Sequence, residues 1–304
     1  MIKIDKKRCR ICNSGDIRKI YEGQIRNGAL GHYTSEAVSM YQCHSCNVIW
    51  HEKLRDAYIE KYYESKEYRE AMGEESSVDE FYSIHDKDNL EKIQYTGTTL
   101  FRNKIVADVG CGGGSFLDLI NGIAKEIVAV EPSKAYRDAM SDNKGYKTFA
   151  YMDDALSGGY SSKIDVLTSF DVIEHVDDPR EFLNQVYSLL EQGGKAIIGT
   201  PTDAPIMRSL LGEVFEKQQL FSVQHLWILS EKSLRQMAEN AGFSAIDFKY
   251  YQRYSIGNLL GWLRDKKPRS EITDSIFDGV LDSVWRQEVQ NRGLADYIVA
   301  YLTK

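Results

Sequence analysis

The sequence predicts an α/β protein: an open, mostly parallel sheet of seven strands with helices on both faces, preceded by a small cysteine-bearing module and a helical lid. Three observations carry this prediction. After residue 100, short apolar runs alternate with longer amphipathic ones; a glycine-rich turn joins the first run to a helix; and two C-x-x-C pairs stand within the first 46 residues. Strands that alternate with helices pair in parallel through right-handed crossovers, which puts the ligand site at the carboxyl ends of the strands.

Composition narrows the class. With 304 residues, 42% of them hydrophobic, 27% charged and only five prolines, the chain can bury a sizeable core and is neither disordered nor of low complexity. A net charge of −7 argues against a surface built for phosphate neutralisation, and so against a nucleic-acid partner. No stretch approaches the roughly 20 apolar residues of a membrane span. The N-terminus, MIKIDKKRCRIC, is basic with no apolar run after it, so no secretory signal is expected and a cytoplasmic location is. In that reducing setting paired thiols hold metal more readily than they form disulfides. Oligomeric state is left open.

Residues 1–56 form the first unit. Cys9-Arg10-Ile11-Cys12 and Cys43-His44-Ser45-Cys46 make two knuckles about thirty residues apart, matching a closed tetrahedral zinc site in a small β-module. Four thiolates leave no open position for substrate, so the zinc is expected to be structural. His32, His44 and His51 are expected to be surface or packing residues. Residues 57–100 are a helical linker or lid, with Tyr58, Tyr62, Tyr63, Tyr68, Phe81 and Tyr82 at helical spacing among acidic residues.

Residues 101–304 hold the sheet. Strands are expected at 104–110, 126–131, 146–151, 164–172, 195–200, 244–251 and 296–303. Helices are expected between them, over 115–123, 133–143, 178–191 and 230–243; the last three open on Ser133, Asp178 and Ser230 as caps, and the last closes at Gly242. The insertion between the last two strands is expected to add a surface helix over the sheet.

The first strand runs into Asp108-Val109-Gly110-Cys111-Gly112-Gly113-Gly114-Ser115, where glycines let backbone approach a ligand. The second ends in Glu131, about 20 residues on, where a carboxylate can accept both hydroxyls of a ribose. Ser115 occupies the place where a dinucleotide site wants a third small glycine or alanine. Asp108 suits an ammonium and poorly suits a pyrophosphate.

These residues, ADVGCGGGSF followed by VAVEPS, resemble the first two motifs of the class I S-adenosylmethionine-dependent methyltransferases, whose Rossmann-like seven-stranded sheet ends in an antiparallel hairpin. The resemblance spans residues 101–304. It implies that Asp108, Gly110, Cys111, Gly112 and Gly114 line the methionine part of the cofactor. By the same likeness Glu131 and Pro132 lie at the ribose, Asp153 or Asp154 at the adenine amino group, and Phe170 and Asp171 flank the cofactor. Cys111 is expected to be a small loop residue and not a nucleophile.

Chemistry is expected just past the fourth strand, in FDVIEHVDDPREFL. Methyl transfer is an in-line displacement in which the enzyme aligns the acceptor and takes its proton. His175 is the first candidate for that base, with Glu174 as orienter or second carboxylate; His225, in SVQHLWILSEKSL, is the second. The stretch is similar to that of ubiquinone-type O-methyltransferases, with Asp171 in place of a first glutamate. The cysteine module, YYESKEYRE and QRYSIGNLLGWL together resemble bacterial methyltransferases of deoxysugar nucleotides and surface polysaccharide. That likeness implies a small-molecule or glycan acceptor, methylated on a hydroxyl or amine and less readily on carbon, in polysaccharide biosynthesis. Two rivals stand beside it: an RNA methyltransferase that grips RNA with its basic zinc module, and a noncatalytic cofactor-binding partner protein.

Overall fold

The computed structural model describes residues 8–51, 78–267 and 279–304. Tyr58, Tyr62, Tyr63 and Tyr68 of the expected lid lie outside the described residues. Near the N-terminus, β1 (Ile17–Gly23), β2 (Val38–Cys43) and β3 (Ile49–His51) form an antiparallel meander, followed by the helix α1 (Val78–Thr96). The α/β repeat comes next: β4 (Ile105–Val109), α2 (Ser115–Ile120), β5 (Glu126–Val130), α3 (Lys134–Lys144), β6 (Lys147–Phe149), β7 (Ile164–Phe170), α4 (Pro179–Leu189) and β8 (Leu190–Pro201). Beyond it come α5 (Pro205–Leu211), a two-residue strand β9 (Trp227–Ile228), α6 (Glu231–Ala241), β10 (Ala245–Tyr251), α7 (Ile256–Asp265), α8 (Gly279–Asn291) and β11 (Tyr297–Thr303).

Seven strands make the expected sheet, in the order β10-β11-β8-β7-β4-β5-β6. The five from β8 to β6 are parallel, and β11 enters antiparallel between β8 and β10, pairing Ala300 with Ile198 on one side and Phe248 on the other. Strands covered on both faces are apolar throughout, and the pleat sends alternate residues to opposite layers. Ala107, Val109, Val128 and Leu167 pack with Phe182 and Val186 of α4 and Leu234 of α6. Val106, Ile127, Ala129 and Val166 pack with Leu117 of α2 and Met140 of α3. Each buried Val, Leu, Ile, Met or Phe side chain among these contributes about 1.5–3 kcal/mol.

The caps act as the sequence implies in two helices. Asp178 Oδ1 accepts the Arg180 N–H at 2.9 Å with Pro179 in the first turn, and Ser230 and Ser233 exchange bonds in a capping box at the start of α6. Ser133 stands at the N-terminus of α3 without a side-chain capping bond.

Three features depart from the sequence reading. The strand expected at 195–200 begins at Leu190, because that buried side chain pairs across to Ile164 and ends the preceding helix at Leu189. The small sheet is not built from N-terminal residues alone: β9 adds to it, with Ile49 opposite Ile228 and Trp50 opposite Trp227. Among the described residues the insertion supplies two helices, and α7 is more than a surface cover. Its Leu259 and Trp262 are buried with Met40 of β2, Ile49 of β3 and Phe221. On the small sheet's other side, Cys43, Val48 and Trp50 share a core with Phe182 and Leu234. Among the described residues no helix is long and apolar enough to cross a membrane.

Candidate active site

The turn from β4 into α2 has positive φ at Gly110, Gly112 and Gly114. At Gly110, with φ +75°, a Cβ would stand 2.3 Å from Val172 Cγ2, so only glycine fits. Glu131, buried at the end of β5, accepts the Gly112 N–H through Oε2 and the Ser133 N–H through Oε1, both at 2.9 Å. The carbonyls of Glu131 and Pro132 each accept from Arg137 at 2.6 Å, which fixes the bend after β5.

Asp108 is 4% exposed and accepts the Thr168 hydroxyl at 2.7 Å. Burial pushes its pKa up to about 7, and among the described residues it has no ion-pair partner. A buried carboxyl beside a glycine turn is chemically matched to a ligand ammonium. Cys111 is buried with Sγ 3.9 Å from Met140 Sδ, a packing residue and no nucleophile in its surroundings. Burial holds its thiol well above the ordinary range.

Helix α1 lies against this turn. The Phe81 ring fills the space a Cβ at Gly113 would take, Tyr82 OH donates to the Gly113 carbonyl at 2.8 Å, and Ser115 Oγ donates to Asp86 Oδ1 at 2.5 Å. Farther along, Lys92 Nζ sits 5.2 Å from the centre of the Phe170 ring. Phe170 is otherwise enclosed by Phe116 and Tyr95. Asp153 is exposed and accepts from Gln185 Nε2 at 2.9 Å, while Asp154 caps its own short helix through the Tyr151 N–H.

A second cluster stands past the carboxyl end of β7. Asp171 adopts φ +59° and lies 3.8 Å from Arg253, which also binds Asp296 through its Nε at 3.0 Å and its backbone N–H at 2.7 Å. Glu174 is 1% exposed; Oε2 accepts from Thr200 Oγ1 at 3.0 Å, while Oε1 has no hydrogen-bond partner among the described residues. Burial, with Asp171 nearby, pushes the Glu174 pKa up to about 8.

His175 Nδ1 is 2.7 Å from the Gln224 carbonyl. A carbonyl only accepts, so Nδ1 carries the hydrogen and the lone pair of the neutral ring is on Nε2, 4.0 Å from Glu174 Oε1. The His225 ring meets it edge to face at 4.9 Å. Burial keeps both imidazoles below their usual pKa, His225 further because His175 adjoins it. Donor atoms of Glu174, His175 and His225 all lie within 4.8 Å of one another, a set open to a proton or a cation.

The four N-terminal cysteines also converge, with all sulfurs within 4.8 Å of one another. Cys9 and Cys46 are 3.6 Å apart and Cys12 and Cys43 3.4 Å, far beyond a disulfide bond of about 2.05 Å. The spacing approaches the roughly 3.8 Å between ligands of a tetrahedral site with 2.3 Å metal–sulfur bonds. The two knuckles repeat one design: Asn13 and Asn47, each just after the second cysteine, take φ near +60° and donate N–H to Cys9 and Cys43 carbonyls.

The structure therefore joins His175, Glu174 and His225 in one cluster and the glycine turn with Glu131 in another. Sequence reasoning gave no role to Thr200, Gln224, Arg253, Asp296 or Trp227, although Gln224 and Trp227 flank His225 in SVQHLWILSEKSL and Arg253 stands in QRYSIGNLLGWL.

A family model described as a methyltransferase domain matches residues 81–247. The ubiquinone biosynthesis O-methyltransferase of Cupriavidus pinatubonensis is 25% identical over 197 residues, covering 61% of this chain and 78% of that protein. The mitochondrial one of Dictyostelium discoideum is 23% identical over 163 residues, 47% of this chain and about half, 51%, of that protein's length. Among solved structures, a SAM-dependent methyltransferase from Archaeoglobus fulgidus superposes with a TM-score of 0.50 at 17% identity, over 74% of this chain and 99% of that one.

Proposed function

Because the chain belongs to the methyltransferase-domain family, we propose that it moves a methyl group from S-adenosylmethionine to an oxygen of a small-molecule acceptor, with His175 as the general base. The observation that carries this reading is the orientation of the His175 ring, held at Nδ1 by the Gln224 carbonyl so that Nε2 faces the buried Glu174 carboxyl at 4.0 Å, at the carboxyl edge of β7.

The residues present fit the cofactor. Asp108 and the glycine turn would receive its ammonium and methionine part, Glu131 the ribose hydroxyls, and Asp153 or Asp154 the adenine side. When bound, the cofactor supplies an electrophilic methyl on a positive sulfur. His175 Nε2 would take the proton of the acceptor hydroxyl as that oxygen becomes the nucleophile. Glu174, protonated at neutral pH, donates a hydrogen bond from Oε1 and so orients the acceptor oxygen. His225 walls the same space, and burial keeps His175 uncharged.

The names of the curated relatives point to an oxygen acceptor in ubiquinone biosynthesis. They lend no support to a sugar or polysaccharide acceptor, which rests on the sequence resemblance alone. The four thiolates would hold a structural zinc ion, closed to substrate.

The test is a two-class acceptor screen, phenols against sugar nucleotides, read as S-adenosylhomocysteine release. His175→Ala should bind the cofactor normally and lose turnover; wild-type turnover in that variant would sink the base assignment. An RNA acceptor instead predicts steeply salt-dependent RNA binding. A noncatalytic role predicts cofactor binding without product from any acceptor.

A further inference from the structure

The bonds that orient His175 come largely from one short segment outside the α/β repeat. Trp227 donates its backbone N–H to the Glu174 carbonyl at 3.1 Å and its Nε1–H to the Val176 carbonyl at 2.8 Å, so one residue holds the chain on both sides of His175. The ring itself is held by the Gln224 carbonyl. The strand β7 delivers the turn, through the His175 N–H to the Val172 carbonyl, but residues 224–227 set the direction of the imidazole.

Trp227 is placed in turn by the cysteine-bearing module. It is 3% exposed and pairs with Trp50 of β3. The Arg10 guanidinium, inside the first knuckle, stands 5.7 Å from the centre of its indole ring. Three residues beyond, Ser230 Oγ donates to the carbonyl of Cys46, the last cysteine of the second knuckle, at 2.6 Å. Both knuckles therefore grip the segment that grips His175.

We infer that the four-cysteine module is a positioning device for His175: the gathered thiolates fix β3 and the knuckles, these fix Trp227, and Trp227 fixes the turn and the Nδ1–H form of the ring. Trp227 is a positioning residue and touches no substrate. A module that only added stability would need neither of the two Trp227 bonds flanking His175. The inference rests on reading His175 as the base, but its test does not need turnover.

The test uses the zinc-loaded full chain and long-range proton–nitrogen correlation spectra of the histidine rings, with His175 assigned from His175→Gln. The wild type should show the Nδ1–H pattern at His175. Trp227→Phe keeps an aromatic ring and the backbone N–H but deletes Nε1–H, and should give a mixture of ring forms. Cys43→Ser should go further, with S-adenosylhomocysteine binding by calorimetry retained as the sign of an intact core. If Cys43→Ser fails to fold, Ser230→Ala combined with Arg10→Leu takes its place.

Retention of the pure Nδ1–H pattern in Trp227→Phe and in the module variant, with cofactor binding intact, would overturn the inference. With an acceptor in hand, Trp227→Phe should lower kcat about 10- to 100-fold, the scale of a small misplacement of a reacting group, with the KM for the cofactor unchanged. A wild type that binds no S-adenosylhomocysteine would refute the methyl-transfer reading alone, because the ring-form measurement stands without it.

Discussion

Gly112 donates its backbone N–H to the Glu131 carboxylate at 2.9 Å, which ties the glycine turn to the end of β5. The Ser133 N–H takes the other oxygen. Glutamine at 131 keeps the size but would set an amide NH2 against one of these donors, so the substitution isolates the bonding. Glu131→Gln should weaken S-adenosylhomocysteine binding at least tenfold, consistent with the roughly 1.5–3 kcal/mol of a hydrogen bond to a charged group. Calorimetry measures it; unchanged affinity would remove Glu131 from the site.

Gly110→Ala should destabilise the fold and abolish tight cofactor binding together. A Cβ there meets Val172 Cγ2 at 2.3 Å, and φ is +75°. Strain and overpacking each cost roughly 1–3 kcal/mol. Val172→Ala should return part of the loss in a denaturation series, because it removes the clashing methyl but leaves the backbone strain.

Glu174 makes stability fall as pH rises. Its carboxyl is raised from 4.5 to about 8 in the folded protein, so between those values the unfolded chain holds fewer protons than the folded one. The slope is at most about 1.4 kcal/mol per pH unit. Glu174→Gln should remove it, so the variant gains on the wild type in urea midpoint from pH 5 to pH 8. A constant difference across that range would show that Glu174 is ionised in the fold.

Tyr82→Phe deletes the bond to the Gly113 carbonyl, together with the one the hydroxyl accepts from Lys144 Nζ, and leaves the ring packing. A lost neutral hydrogen bond of about 0.5–1.5 kcal/mol predicts S-adenosylhomocysteine binding weaker by about 2- to 10-fold. Hydrogen exchange should quicken in α1 and not in β4. Equal exchange in both would mean that α1 is held by other contacts.

Elemental analysis should find about one zinc per chain, falling below half an equivalent in Cys43→Ser. Full zinc content in that variant would exclude the four-thiolate site.

The local motifs were legible because their chemistry is contiguous. The glycine turn, Glu131 and the two cysteine knuckles each announce a backbone or ligand requirement within a few residues, and the structure assembles the cysteines into one cluster. Other features depend on pairing across long distances in sequence. Arg253 and Asp296 meet because β10 and β11 run antiparallel, with Tyr251 opposite Tyr297. The strand β9 is two residues long, too short for any periodic signal, and exists because β3 needs a partner. Trp227 therefore looked like one aromatic in an apolar stretch.

The place of β11 also ties the site to the sheet's edge pairing. The strand β10 reaches the large sheet only through β11, and β8 exposes an unpaired edge until β11 fills it. Pairings so distant in sequence form slowly, and an open edge invites other chains in the meantime. Asp296, which balances Arg253, stands at the start of that same strand. The charge pair beside Asp171 is therefore complete only when β11 is seated between β8 and β10, so the finished site depends on the most distant pairing of the sheet.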